Sequence, residues 1–239
     1  MNRESLLSNR FKELNKEIQK TATEEHHTSV VAVTKYSPVE DIFLSHDLGQ
    51  RDFGENRVLD LQEKAEEFEK KGIQDVNWHF IGHLQSNKIN RLLKIPNLKY
   101  IHSVDSLSLL EAILSKEEQF RGDRLGIFLQ VNTSDEDEKH GFSTYDKLAG
   151  AMNHFLDEHG SRIYLAGLMT MGKIRTDDIE GDARKCFRKL KSFKHRLEDD
   201  FGVHDLKLSM GMSGDYKVAL DEGSNFIRVG SVIYKSHDL

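Results

Sequence analysis

The chain reads as one α/β domain, a closed (β/α)8 barrel of the TIM type with an extra N-terminal helix, and three observations predict it. Eight short apolar or mixed runs lie near residues 29–34, 51–53, 77–81, 99–103, 124–132, 163–168, 206–209 and 226–229. They alternate with longer segments of helical periodicity, such as 55–71, 106–119, 143–159 and 177–201; that alternation indicates βαβ units on a parallel sheet. The length, 239 residues, suits about eight such units in a single domain. There is no linker, low-complexity tract or composition shift, and the only prolines are Pro38 and Pro96. The domain is therefore expected to span 1–239, with the helix in 1–24 and the barrel over 29–234. A doubly wound open sheet is the alternative that periodicity alone leaves standing.

The elements follow in order. Leu7, Phe11, Leu14 and Ile18 form a helical stripe among charged residues, without the continuous apolar core of a signal peptide. The run Ser29 to Thr34 (SVVAVT) is short and β-branched, as a buried strand is. Behind Lys35 comes a helix start: Ser37 is placed to cap, Pro38 to occupy the first helical position and Glu40 to complete a capping box. The second and fourth strands have weaker patterns. After the second, Glu55 reads as the start of the next helix, where its charge is favourable, with an acid or base role as the alternative.

His79 and His83 have the i, i+4 spacing of a helical metal pair, yet Trp78 to Gly82 reads as strand turning into loop. His79 is then a packed histidine, His83 a pocket residue at the strand end, and no metal is expected. Asp135 to Glu138 reads as a solvated loop without a calcium-loop pattern. The basic run Arg184 to Arg196 contains Cys186, Leu190 and Phe193, and the stripe continues to Leu197 at helical spacing; this is one amphipathic helix with a solvated basic face rather than a nucleic-acid site.

Composition narrows the function classes. Hydrophobic residues make up 37% and charged ones 31%, which fits a soluble core under a charged helical surface. A net charge of −6 disfavours nucleic-acid binding. The lone cysteine, Cys186, excludes an intramolecular disulfide and points to a reducing, cytoplasmic compartment. No segment reaches membrane-span length.

In such a barrel the carboxyl ends of the strands carry function, and here they carry chemistry. Lys35 ends the first strand, where desolvation can make a lysine a nucleophile for a carbonyl; the bland reading is a polar stop after an apolar run. Ser209 to Gly214, including Met212 and Ser213, and Gly230-Ser231 follow the seventh and eighth strands. Glycines there let amides approach an anion, and a pair of such turns in these places is a phosphate signal that neither would be alone. Arg228 ends a buried run and needs a partner, either a carboxylate or a ligand ring.

The ordered strings VAVTKYSPVE, FGEN, WHFIGHLQSNK, HSVDS, LQVNTS, GLMTM, LSMGMSGDYKVAL and IRVGSVIY resemble the pyridoxal phosphate homeostasis protein family, related to the N-terminal barrel of alanine racemase. The resemblance runs from about residue 29 to 234. It implies a fold-type III barrel that holds pyridoxal 5′-phosphate as an internal aldimine on Lys35. It also implies that Arg228 faces the pyridine nitrogen, that Gly230 and Ser231 give backbone donors to the phosphate, and that Ser213, with Ser209 as second candidate, adds a hydroxyl. Asn56 and His83 match pocket positions. Two departures stand out: Tyr36 where the family often has threonine, and Val232-Ile233-Tyr234-Lys235 near the end.

The activity implied is that of a cofactor carrier. A cationic Arg228 disfavours a protonated ring nitrogen and weakens the electron sink. The second domain from which alanine racemase draws its opposing base is also expected to be missing. The partners expected are pyridoxal phosphate itself and, as recipients, apoenzymes that use it, with the chain a monomer. The rival readings are a slow amino-acid racemase using Lys35 with Tyr36 or His83, and a phosphate-binding barrel isomerase.

Overall fold

A computed structural model describes residues 2–235 apart from 24–26, 135, 137–139, 159 and 174–175. Eight parallel strands close on themselves in chain order: β1 (Ser29–Val33), β2 (Asp52–Glu55), β3 (Asn77–Phe80), β4 (Leu98–Val104), β5 (Leu125–Gln130), β6 (Ile163–Met169), β7 (Lys207–Met212) and β8 (Phe226–Val229). The ring is completed by β8 on β1, with Val31 opposite Arg228 and Ala32 opposite Val229. Closure rules out the open-sheet alternative. The helices are α1 (Arg3–Gln19), α2 (Val39–Asp47), α3 (Val58–Lys70), α4 (Ile89–Leu93), α5 (Leu107–Leu114), α6 (Tyr145–Glu158), α7 (Ile179–Phe201), α8 (Tyr216–Asp221) and α9 (Ser231–Tyr234), with single 3-10 turns at Ser86–Lys88 and Glu117–Gln119.

Helices and strands bury a shared apolar shell in which Trp78, Phe53 and Phe68 pack against one another. Helix α7 behaves as its pattern requires. Cys186, Leu190 and Leu197 are buried, while its basic face stays largely exposed and makes contacts within the chain: Arg184 and Arg188 grip Glu222, and Arg196 lies over the Tyr145 ring. Helix α1 is tied to the barrel by buried Leu7 and Leu14, by Arg3 paired with Asp41, and by Arg3 and Arg10 donating to the carbonyls of Tyr234 and Ile233.

Two local expectations need correcting. The N-cap of α2 is Pro38, extended at φ −64° and ψ 155°, with no side-chain cap. The residue before a proline avoids helical geometry, so Ser37 closes a turn instead, its amide donating to the Thr34 carbonyl at 2.8 Å. Glu55 does not begin a helix either; it is the fully buried last residue of β2, and α3 starts at Val58. The acidic stretch Asp135 to Glu138 lies, save Glu136, outside the described residues.

The barrel interior departs from the aliphatic layers usual for this fold. Tyr100, Phe128 and Phe226 meet edge-on or tilted, and His102 stacks on Phe128 at 4.5 Å. Above them β7 and β8 slip by one residue: Ser209 faces Phe226, but Met212 faces Arg228. The extra residue falls in a stretch containing Gly211, whose φ of +94° suits glycine and whose added Cβ would lie 2.5 Å from Ala219 Cβ. Bulges of this kind re-aim side chains beside functional sites. Here the slip leaves Ser209 inside the barrel and Met212 at the rim.

Candidate functional site

A cavity of ≈ 830 Å³ opens at the carboxyl rim, across the seam where β8 meets β1. Lys35, Asn56, His83, Met212, Ser213, Arg228, Gly230 and Ser231 all line it, so eight of the nine residues predicted for the site come together. Val33, Tyr36, Ile81, Met171 and Tyr234 complete its apolar and aromatic wall. Its lining includes Lys35, Arg228 and Lys235 but, among the described residues, no aspartate or glutamate. A second cavity, ≈ 490 Å³, lies at the opposite rim around Asn97 and Asp123, away from the strand ends that carry these groups.

Ser209 is the exception. It is fully buried beneath the cavity, and its Oγ accepts from Arg228 Nη1 at 2.6 Å and contacts His102 Nδ1 at 2.8 Å. It supports Arg228 and does not face a ligand. The reason is the β7 slip, which no periodicity in LSMGMSG announces.

Arg228 is itself buried, and its partners are neutral: Ser209 Oγ and the Thr170 carbonyl, the latter at 2.9 Å. No carboxylate pairs with it among the described residues; Ser209 and Thr170 take the place of the carboxylate partner that the sequence allowed. Desolvation lowers its pKa to about 10, opposed by the charge of Asp215, so it stays a cation at neutral pH.

Beneath it a polar column crosses the barrel. His102 Nε2 meets His79 Nδ1 at 2.8 Å, and His79 Nε2 meets Asp52 Oδ1 at 2.9 Å. The guanidinium can only donate, so the Ser209 hydroxyl spends its proton on His102 Nδ1. That makes His102 Nε2 the donor to His79, and His79 Nε2 the donor to Asp52. The donor and acceptor roles of each ring are then fixed by its neighbour. In agreement, burial, then His79 and Arg228, push the His102 pKa well below its usual value. His79 was expected as a packed histidine and is one; His102 and Thr170 were not singled out as supports of Arg228. The signal available was the alternation of Tyr100 and His102 on one face of β4.

Lys35 sits in the turn just past β1 and is exposed at the cavity mouth, its Nζ 5.4 Å from the Tyr36 ring centre. The desolvation invoked from the sequence is therefore absent around its side chain. Its backbone is held from below: Lys64 donates to the Thr34 carbonyl at 2.8 Å and pairs with buried Glu55, which also accepts from Thr34 Oγ1 at 2.7 Å. Two glycines are dictated by close approach. A Cβ on Gly82 would fall 2.0 Å from the Asn56 carbonyl oxygen, and one on Gly230 would fall 2.9 Å from that of Val33. Gly230 donates its amide to Ser213 Oγ at 3.1 Å, which joins the two expected phosphate loops.

The fold and rim define the class as closed parallel barrels with a cationic cavity at the carboxyl ends of the strands, here with a lysine just past the first strand and a buried arginine in the eighth. The chain belongs to the pyridoxal phosphate homeostasis protein family. It is 35% identical over 213 residues to the mouse protein of that name, covering 87% of this chain and 77% of the relative. To the Helicobacter pylori protein of that name it is 37% identical over 218 residues, covering 90% and 91%.

Among solved structures, PipY of Synechococcus elongatus, described both without and with PLP bound, superposes with TM-scores of 0.84 and 0.81 at 28% and 27% identity, covering 95% of this chain and 99% of PipY. An alanine racemase from Clostridium difficile shares the fold alone, at a TM-score of 0.69 and 17% identity, and this chain covers 57% of it. A scan against protein-family models gave no match.

Proposed function

We propose that the chain holds pyridoxal 5′-phosphate covalently through Lys35 and carries it without a dedicated turnover of its own. The observation that carries this reading is the composition of the rim cavity, with Lys35 at its mouth, Arg228 in its floor and, among the described residues, no carboxylate in its lining. That donor set fits an anion with an aldehyde. The Ser213 hydroxyl and the Ser231 amide would hold the phosphate, with the Gly230 amide turning to it from Ser213 Oγ, its present acceptor; Asn56 and His83 would take the sides of the ring, and Met212 the rim. The pyridoxal phosphate homeostasis names of the relatives and the PLP-bound PipY support the choice of ligand.

When bound, the cofactor supplies an electrophilic carbonyl carbon and an electron-accepting ring. What this chain's own groups do argues for carriage. Arg228 is a buried cation fixed by Ser209 and Thr170, and it repels a proton on any ring nitrogen placed against it. Among the described residues no carboxylate lining the cavity offsets that repulsion. Each 1.4 kcal/mol of stabilisation so withheld slows carbanion formation about tenfold. Lys35, by contrast, is exposed, so an incoming amine can displace it without the barrel opening. Delivery to apoenzymes that need the cofactor follows from that accessibility, and the chain would act as a cytoplasmic monomer. No helix among the described residues is long and apolar enough to cross a membrane.

Deuterium exchange at the α-carbon of alanine and serine, followed by NMR in heavy water, tests the reading. Spectral change on adding amino acids, without exchange approaching about 1 s⁻¹, is the expected result. Exchange at that rate or faster identifies a racemase using Lys35 with Tyr36 or His83. A colourless protein that takes up no pyridoxal phosphate leaves a phosphate-binding isomerase instead.

A further inference from the structure

Beside the cofactor cavity, on the same rim, three loops converge on one carboxylate. His83 follows β3, Asp105 follows β4 and His140 follows β5. The Nδ1 atoms of the two histidines lie 3.2 and 3.6 Å from the same oxygen, Asp105 Oδ2. Their rings stack at 4.3 Å with 23° between planes. Asp105 is nearly buried, its side chain 9% exposed, whereas His83 and His140 are 50% and 63% exposed. Among the described residues this is the one group of three such side chains whose ligand atoms approach within 4.8 Å of one another.

We propose that His83, Asp105 and His140 form a site for a borderline divalent cation of the zinc class. Zinc bonds to imidazole nitrogen and carboxylate oxygen run about 2.0–2.2 Å in tetrahedral sites. The edge of a tetrahedron with such bonds is about 3.4 Å, between the two nitrogen–oxygen separations observed. A plain hydrogen-bond cluster explains the His83 contact at 3.2 Å, but His140 at 3.6 Å lies beyond hydrogen-bond reach. A cation between the three ligand atoms accounts for the approach of both ring nitrogens to the one oxygen, Asp105 Oδ2.

The ligand backbones are anchored as well. The His140 carbonyl accepts from Gln130 Nε2 at 3.0 Å, and Phe142, two residues on, donates its amide to the Gln130 carbonyl at 2.8 Å. Gly141, between them at φ +126°, has no room for a side chain against Asn132 and Gln130. Leu84, next to His83, is buried. The exposed imidazoles need only side-chain rotation to close on a cation. Three protein ligands leave a fourth position open to water, and because His83 also lines the cofactor cavity the cation would clamp three successive loops at its mouth.

The test uses the full chain, stripped with a chelator and free of pyridoxal phosphate. Zinc is titrated against a chromophoric chelator, and cobalt is read by its visible absorption. One equivalent of zinc and an intense low-coordinate cobalt spectrum are expected, with affinity reduced at least about tenfold in both His140→Ala and Asp105→Asn. Because His140 is exposed, its variant keeps the fold even if the Asp105 variant loosens the rim. Uptake no stronger than that of a His83→Ala/His140→Ala double variant, or uptake that both single variants leave unchanged, would overturn the site.

Discussion

A single hydroxyl separates two readings of the floor of the cavity. Ser209 is where Arg228 and His102 converge, and removing its oxygen strands a buried guanidinium N–H and an imidazole nitrogen together. Ser209→Ala is expected to cost about 1–3 kcal/mol in urea unfolding, and to weaken pyridoxal phosphate and unphosphorylated pyridoxal by the same factor. Ser213→Ala, at the rim, should leave stability within about 0.5 kcal/mol and weaken the phosphorylated ligand selectively. A selective loss in the Ser209 variant would place that hydroxyl on the phosphate. His102 adds a pH dependence with a definite sign. Its pKa is held below the ordinary 6.5 by burial, then by His79 and Arg228, so below pH 6.5 the unfolded chain takes a proton that the folded chain refuses. Stability is therefore complete above that pH and falls on acidification, by at most about 1.4 kcal/mol per pH unit from this group. Thermal unfolding between pH 5 and 7.5 should show the decline, and His102→Phe should flatten it.

At the scale of elements, the junction of β1, β2 and α3 fixes the turn that presents Lys35. Lys64 reaches from α3 to the Thr34 carbonyl and to Glu55 at the end of β2. Glu55→Gln leaves the ammonium without its counter-charge, and a loss of about 3–5 kcal/mol is expected. The double variant with Lys64→Met should recover most of it, which a calorimetric comparison of the single and double variants checks; no recovery would mean that Glu55 acts alone. This junction also marks the boundary of what the sequence revealed. The β-branched run of β1 and the β6 and β8 patterns announced their strands, since burial on both faces leaves few polar residues to confuse them. Glu55 was assigned to the following helix because a buried acid at a strand end has the same local signature as a helix-start charge. The partner that decides between the two, Lys64, is a tertiary contact.

For the molecule as a whole, closure is the decisive event. The β8–β1 seam sets Lys35 beside the loops carrying Ser213, Gly230 and Ser231, residues that are distant along the chain. The ordered strand ends make this cavity legible in the sequence, whereas the β7 slip and the histidine column beneath it depend on cross-strand register and are not. Helix α1 braces the seam from outside, through Arg3 and Arg10 on the carbonyls of Tyr234 and Ile233 in α9. Leu7→Ala, which empties a fully buried position on α1, should cost about 2–5 kcal/mol and lower the midpoint of a single unfolding transition. A separate early transition would show α1 to be detachable from the barrel. The central claim, that Lys35 at this seam is the covalent anchor for pyridoxal phosphate, is tested most directly by borohydride reduction of the loaded protein and peptide mass mapping. A phosphopyridoxyl group on the peptide containing Lys35, absent from Lys35→Ala, is expected; the group on another lysine alone, or label undiminished in Lys35→Ala, would contradict it.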